Sequence, residues 1–433
     1  MSTSELEIST PVSPNTQAIL LLTAPLILGR DENSNELLTP SEYKKLARFL
    51  YEKECQPADL VTAGGNELLL ELGKIVNTDR LKRLIARGFL LGQAIERWQT
   101  RAIWVVSRAD KDYPARLKER LKDIAPPVLY GCGDPGILNQ GGLAVVGSRH
   151  ADTTVLESAT KVGELAASAQ QTIISGGARG IDQAAMSGAL EAGGSAVGVL
   201  ADSLERAALN RDHRNVLRDR QLVLLSPYDP QAGFNIGNAM QRNKLIYALA
   251  DAALVIQADH GKGGTWAGAI EQLDKLRLVP VYTFPNGQQD IALESLRKKG
   301  ALMWPNPTTT EDFMEALAAG LTQSRSLDTE QLPFSADNGN QSREIPDEYK
   351  QPDTSSEVDS SSVPGEQLFA TVRMLVQRLD TPKTDKEIAN VLQVKTGQAK
   401  EWIKRLVKEG TLEKLSGPTR YRSTKTSKLF QDL

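Results

Sequence analysis

Between about Gly141 and Leu321, short apolar runs alternate with longer segments whose apolar positions recur every three or four residues. The runs are LAVVGS, TIISGG, SAVGVLA, LVLLSP, AALVIQA, VPVYTF and ALMW. They are nearly continuous rather than alternating, as in strands covered on both faces. Between them VLESATKVGELAASA, IDQAAMSGALEA, MQRNKLIYALA and TWAGAIEQLDKL carry the helical period. This pattern predicts an α/β fold with a doubly wound, mostly parallel sheet. Such sheets bind ligands beyond the C-terminal ends of their strands.

The flanks read differently. Residues 1–16 are rich in Ser, Thr and Pro and are expected to be disordered. Residues 17–98 show helical spacing, as in SEYKKLARFLYEKE and TDRLKRLIARGFLLGQAIERW, and predict a small helical domain with AILLLTAPLIL as a buried helix. Residues 99–321 form the α/β unit, with IWVVS and PPVLYGCGD as further strands at its start. Residues 322–366 are polar, acidic and almost free of aliphatics, the composition of a linker. Residues 367–425 then give three helical segments and a hairpin, a winged-helix pattern. Lys395, Lys400, Lys404, Arg405 and Lys408 lie on or near its third helix, and Lys400, Lys404 and Arg405 are candidate DNA contacts.

Composition narrows the function classes. The chain has 433 residues, 40% of them hydrophobic, and a formal net charge of −3, which does not advertise a polyanion ligand but leaves room for a local basic surface. Cys55 and Cys132 are too few and too far apart for a disulfide framework or zinc ribbon, so a reducing cytoplasm is expected. No secretory signal or bilayer-length apolar run is evident, and no membrane association is expected. His150, His213 and His260 lack metal-ligand spacing, and neither a metal nor a cofactor is expected.

The chemistry sits where strands end. After LAVVG come Gly147, Ser148 and Arg149; after TII come Ser175, Gly176, Gly177, Ala178, Arg179, Gly180, Ile181 and Asp182. Glycine turns leading into helices offer bare backbone N–H groups to an anion, and arginine adds a two-pronged phosphate donor. Asp182 could cap the following helix or orient an amide. A third element, Gln241-Arg242-Asn243-Lys244, is expected to start a helix. The fourth, Lys262-Gly263-Gly264-Thr265, opens another, with Glu271 farther along it. Neither a Walker loop nor a GxGxxG fingerprint is present, and Ser175 lacks the GxSxG setting of a nucleophile. Four cation-bearing turns on one rim suit a strand of phosphates better than a single nucleotide. Trp266 and Phe234 lie near the turns as stacking candidates, although either would also suit a core.

VVGSR, SGGARGID, RN before an apolar helix, ADAALVIQA and GKGGT occur in this order. Together with the D-x-x-Y-P turn of DKDYPARLKERLKD, they resemble the DNA-processing protein A (DprA/Smf) family over about residues 100–305. The resemblance implies an extended Rossmann-like domain, a helical N-terminal domain of SAM or helix-hairpin-helix kind, and a C-terminal winged helix. It also implies a homodimer that binds single-stranded DNA, protects it and loads RecA recombinase in natural transformation and recombination. No catalysis is implied. Gly147, Ser148, Arg149, Ser175, Gly176, Gly177, Arg179, Gly180, Arg242, Asn243, Lys262, Gly263, Gly264 and Thr265 would then line the phosphate track.

The chain departs from that pattern at Met186, where the family has histidine, at SLERAAL in place of a tyrosine-proline pair, and at GKGGTW. GGTWAGAIE also loosely resembles the PGGxGTxxE motif of phosphoribohydrolases of the lysine-decarboxylase-like group, with the proline missing and Glu271 displaced. A nucleotide-hydrolysing enzyme or a nucleotide-sensing domain is the alternative reading.

Overall fold

The computed structural model describes residues 11–26, 36–62, 64–285, 290–329, 376, 382–391, 396–415 and 420–423. The chain divides into two units, Met1–Ser335 and Ala336–Leu433.

The first unit begins with α1 (Pro14–Thr23). Residues 11–16, expected to be disordered, are built into this start. Ser13 caps the helix by accepting from the Thr16 N–H (3.2 Å), Pro14 supplies a preset φ at the first position, and the fully buried Thr16 hydroxyl bonds Ser107 (2.7 Å) and Asp110. These polar anchors outweigh the loop-like composition. The helix ends at Thr23, before Pro25, so only part of the AILLLTAPLIL run is helical.

Four helices follow: α2 (Pro40–Glu52), α3 (Gly65–Leu72), α4 (Thr78–Ile85) and α5 (Gly88–Gln99). The Thr39–Glu42 capping box starts α2. Leu46, Leu50, Leu72, Leu81 and Leu84 meet in a small core of their own. By contrast Ile19 and Leu20 of α1 and Trp98 of α5 join the core under the sheet, where Trp98 stands edge-on to Tyr130, 5.1 Å between ring centroids.

The α/β part runs β1 (Trp104–Ser107), α6 (Ala115–Leu121), β2 (Val128–Cys132), β3 (Leu143–Val146), α7 (Thr153–Ser168), β4 (Ile173–Ser175) and α8 (Ile181–Glu191). It continues through β5 (Ala196–Val199), α9 (Leu204–Ala208), α10 (Arg211–Arg218), β6 (Leu222–Ser226), α11 (Ile236–Leu249) and β7 (Ala252–Val255). It closes with α12 (Gly263–Glu271), β8 (Val281–Thr283), α13 (Ile291–Lys298), β9 (Leu302–Met303) and α14 (Thr310–Thr329). The last helix passes residue 321 into the stretch read as linker.

One sheet holds these strands in the order β1-β2-β6-β5-β4-β3-β7-β8-β9. From β6 to β9 every neighbouring pair is parallel, while β1 and β2 extend the edge antiparallel. The fold is thus α/β and Rossmann-like. Alternate residues feed opposite faces: Leu143 and Val145 pack toward α7 and α8, Ala144 and Val146 toward α6 and α11. Burying each Val or Leu contributes roughly 1.5–3 kcal/mol before entropy is counted. Winding proceeds outward from β3 through β4, β5 and β6, then reverses through α11 to β7 on the other side of β3. That reversal opens a crevice at the C-terminal ends of β3 and its neighbours.

In the second unit, α15 (Asp385–Val391), α16 (Thr396–Lys408) and the antiparallel hairpin β10 (Leu412–Leu415) and β11 (Arg420–Ser423) surround Val376, Ile388, Ile403, Leu406 and Leu412. Lys383 bridges to Tyr421 beside the hairpin. Apart from Val376, the first helix expected for a winged helix lies outside the described residues, as does Lys395.

Candidate nucleic-acid interface

Parallel strands bring the turns after β3, β4 and β7 to the same edge of the sheet. The first two turns are laced into each other. Gly147 leaves β3 with Ile181 side-chain atoms as near as 2.4 Å to where a Cβ would lie, so only glycine fits this approach. Its carbonyl accepts from the Thr265 hydroxyl of α12 (3.0 Å). Ser148 is half-buried; its carbonyl faces Gly180, whose φ of +91° is a glycine conformation. The fully buried Ser175 donates through its hydroxyl to Val145 O (2.5 Å) and serves the sheet.

The amides expected to face a ligand largely face inward. Gly147 N–H donates to Asp182 Oδ1 (3.2 Å) and Gly176 N–H to Asp182 Oδ2 (3.1 Å). The anion bound by these turns is therefore the protein's own carboxylate, 7% exposed at the start of α8. Burial pushes the Asp182 carboxyl above its ordinary value, against the opposing pull of Arg242 and the amides. Nor does the first turn form a helix N-terminus. Helix α7 starts at Thr153, and Asp152 caps it by accepting from Val155 N–H (3.0 Å).

Helix α11 corrects a second expectation. It begins at Ile236, capped by Asn235, rather than at Gln241. The early start carries Arg242 past the exposed first turn and under the rim, where it is 6% exposed. Its Nε and Nη1 have no hydrogen-bond partner. Burial lowers its pKa, with Asp182 opposing and Arg149 adding to the effect, but a guanidinium stays protonated at neutral pH. Asn243 turns to the neighbouring helix, its amide donating to Gly264 O (3.0 Å). Lys244 pairs with Glu271 (3.3 Å).

Arg149, Arg179, Gly177, Lys262, Gly263 and Gly264 are exposed on the rim. Among the described residues Arg149, Arg179 and Lys262 have no carboxylate partner. Helix α12 has Lys262 at its N-cap and no side-chain cap, so this N-terminus is open to an anion. Phe234, which sequence reasoning left between stacking and core, is 55% exposed and lies under the Arg149 guanidinium, 5.5 Å from its ring centroid. Trp266 is half-buried beside the His260 ring (4.8 Å between centroids) and packs against the core. In the second unit Lys404 is exposed, Arg405 pairs with Glu409 (2.9 Å), and the Lys400 side chain lies outside the described residues.

Residues 104–318 match the model of the DNA recombination-mediator protein A family. Over these residues the chain belongs to that family. DNA processing protein A from Streptococcus pneumoniae has a similar structure, with a TM-score of 0.52 at 19% identity over 71% of this chain and 98% of that one. DNA processing protein A from Helicobacter pylori, a single-stranded DNA binder, aligns with a TM-score of 0.41 at 23% identity, covering 50% of this chain and 96% of its own. The molybdenum cofactor binding protein from Rippkaea orientalis aligns with a TM-score of 0.30 at 18% identity, covering 42% and 96%. No curated protein matches the chain. Among the described residues, no helix is long and apolar enough to cross a membrane, and no three His, Cys, Asp or Glu side chains are grouped to hold a metal ion.

Proposed function

We propose that this chain binds single-stranded DNA along the rim of its α/β domain and passes it to RecA recombinase during DNA uptake and recombination. It acts as a homodimer in the cytoplasm and catalyses no reaction of its own. The observation that carries this reading is Arg242: a buried guanidinium with two nitrogens lacking acceptors, near enough to Arg149 to feel its charge. A phosphodiester oxygen supplies what that group lacks, in a charge-assisted bond. Arg149, Arg179 and Lys262 neutralise neighbouring phosphates, while Gly177, Gly263 and Gly264 let the strand approach the backbone. Gly147, Ser148, Ser175, Gly176, Gly180, Asn243 and Thr265 shape the rim from within. Residues 367–425 act as a winged helix joined by a linker that follows α14.

The hydrolase alternative needs an available carboxylate beside the ligand, and Glu271 is engaged by Lys244. The test is fluorescence anisotropy with labelled oligo-dT at two salt concentrations. Arg149→Ala and Arg179→Ala should each weaken binding and reduce the salt dependence, by about 0.7 in the log–log slope for each phosphate that is no longer neutralised. Unchanged affinity in both variants, or base release from nucleoside monophosphates, would refute the proposal.

A further inference from the structure

Beyond the second glycine turn the edge of the sheet continues into a face that the rim does not use. Strand β5 ends at Val199 and leads through Leu200, Asp202 and Ser203 into α9 and α10. A cleft of about 610 Å³ opens there, lined by Leu200, Asp202, Arg206, Leu209, Arg211 and His213 among others. It adjoins the rim directly: Leu200 Cδ2 lies 3.0 Å from the position a Cβ would take on Gly177.

The charge around this cleft is unbalanced. Arg211, Arg214 and Arg218 recur at spacings of three and four on α10, and so share one face of the helix. Arg218 is paired with Asp219 (3.1 Å). Arg206, Arg211 and Arg214 are exposed and have no carboxylate partner among the described residues. The acid of α9 cannot serve them, because Glu205 is buried against Arg97 (2.9 Å) and Arg101 (2.6 Å) of the N-terminal helical segment. Two carboxylates remain: Asp202 accepts from Ser203 (3.1 Å), and Asp212 is exposed in the first turn of α10. Like charges at i,i+4, as Arg214 and Arg218 are, cost a helix a few tenths of a kcal/mol when nothing neutralises them. Leu209, 60% exposed, adds an apolar wall among the guanidinium groups.

We infer that the α9–α10 face is a second phosphodiester-binding surface, which carries a single strand onward from the rim and receives an unstacked base in the cleft. The inference rests on the single-stranded DNA reading of the rim. Guanidinium groups hold the phosphates, and an apolar wall suits the face of a base that has left its stack.

Oligonucleotide length separates the two surfaces. With the full chain, anisotropy is measured for oligo-dT of about 6 and about 25 nucleotides, lengths on either side of a site of roughly 4–16 nucleotides. The R206A/R211A/R214A variant should bind the short strand as the wild type does, and lose about tenfold for the long one. Its salt slope on the long strand should fall by about 2, because three phosphates keep their counterions. R206K/R211K/R214K, which keeps the charges, should restore most of the affinity, and a matching thermal melt excludes a folding defect. Unchanged affinity for the long strand overturns the inference, as does equal weakening for both lengths or a loss confined to duplex DNA. Arg149→Ala is the control for the rim. If it weakens both lengths while the triple variant weakens neither, this inference fails and the rim reading stands. If Arg149→Ala weakens neither length while the triple variant weakens the long strand, the rim reading fails, and with it the inference that the strand passes onward from the rim.

Discussion

Asp182 and Arg242 share the space beneath Gly176 without forming an ion pair. A Cβ on that glycine would lie 1.9 Å from Arg242 Nη1 and 2.7 Å from Asp182 Oδ2. The carboxylate spends its oxygens on the amides of Gly147 and Gly176, so the two glycine turns are joined through one side chain. The arginine keeps donors in reserve. An internal anion thus shapes the turns, and the buried guanidinium beside it keeps two nitrogens without an acceptor.

Replacing Asp182 by Asn should destabilise the protein by about 1–3 kcal/mol, the cost of leaving a buried donor without its acceptor. One oxygen of the amide can still serve one turn, but its NH₂ then confronts the other backbone N–H. Urea denaturation of wild type and D182N measures the difference. An unchanged midpoint would mean that the turns hold without this link.

Arg242→Gln should lower oligo-dT affinity by tenfold or more, since a charge-assisted bond to a buried group carries about 1.5–3 kcal/mol. Arg242→Lys should recover little, because a single ammonium does not replace two donors in a fixed fork. The thermal shift on adding oligonucleotide provides a second measure: large for wild type and small for R242Q. Full affinity in R242Q would assign this arginine to packing alone.

Phe234 separates stacking from charge. Held open beneath Arg149, its ring can take a base, and one stacked base is worth about 1–3 kcal/mol. Phe234→Ala should therefore weaken oligo-dT binding by roughly fivefold or more while leaving the salt slope unchanged. Arg149→Ala should reduce both. Anisotropy across a salt series distinguishes these outcomes, and a reduced slope in F234A would mean that Phe234 acts only by positioning Arg149.

Local chemistry made the strands and the turns legible. Continuous apolar runs ending in Gly147 and Gly176–Gly177 need no long-range information to be read as strand ends. Four features depended on distant partners. Arg242 looked like a surface residue at a helix start, but Asn235 caps α11 earlier and so changes which residues are exposed. Ser175 sat among ligand-facing glycines, yet its hydroxyl is taken by the neighbouring strand. Helices α9 and α10 carry so many charges in RAALNRDHRNVLRDR that no apolar period stands out, and Glu205 is neutralised from residues about a hundred positions away. Order at residues 11–16 likewise depends on Ser107 and Asp110.

The N-terminal helices offer a test in acid. Arg80 grips Glu42 (2.7 Å), and with the Thr39 bonds it holds the Glu42 carboxyl down at about 2. An unfolded glutamate titrates near 4.3. Since the folded value is the lower, the stabilisation is complete above the unfolded value and is lost as pH falls from about 4.5 toward 2. The Glu42 side chain is 29% exposed, so solvent screening reduces the contribution to about 1 kcal/mol. Glu42→Gln should therefore lower stability at neutral pH by about this amount and remove part of the decline in acid. Urea midpoints for wild type and E42Q should converge as pH falls from 7 to about 2.5. Parallel curves across that range would mean that the Arg80–Glu42 pair contributes no net stability.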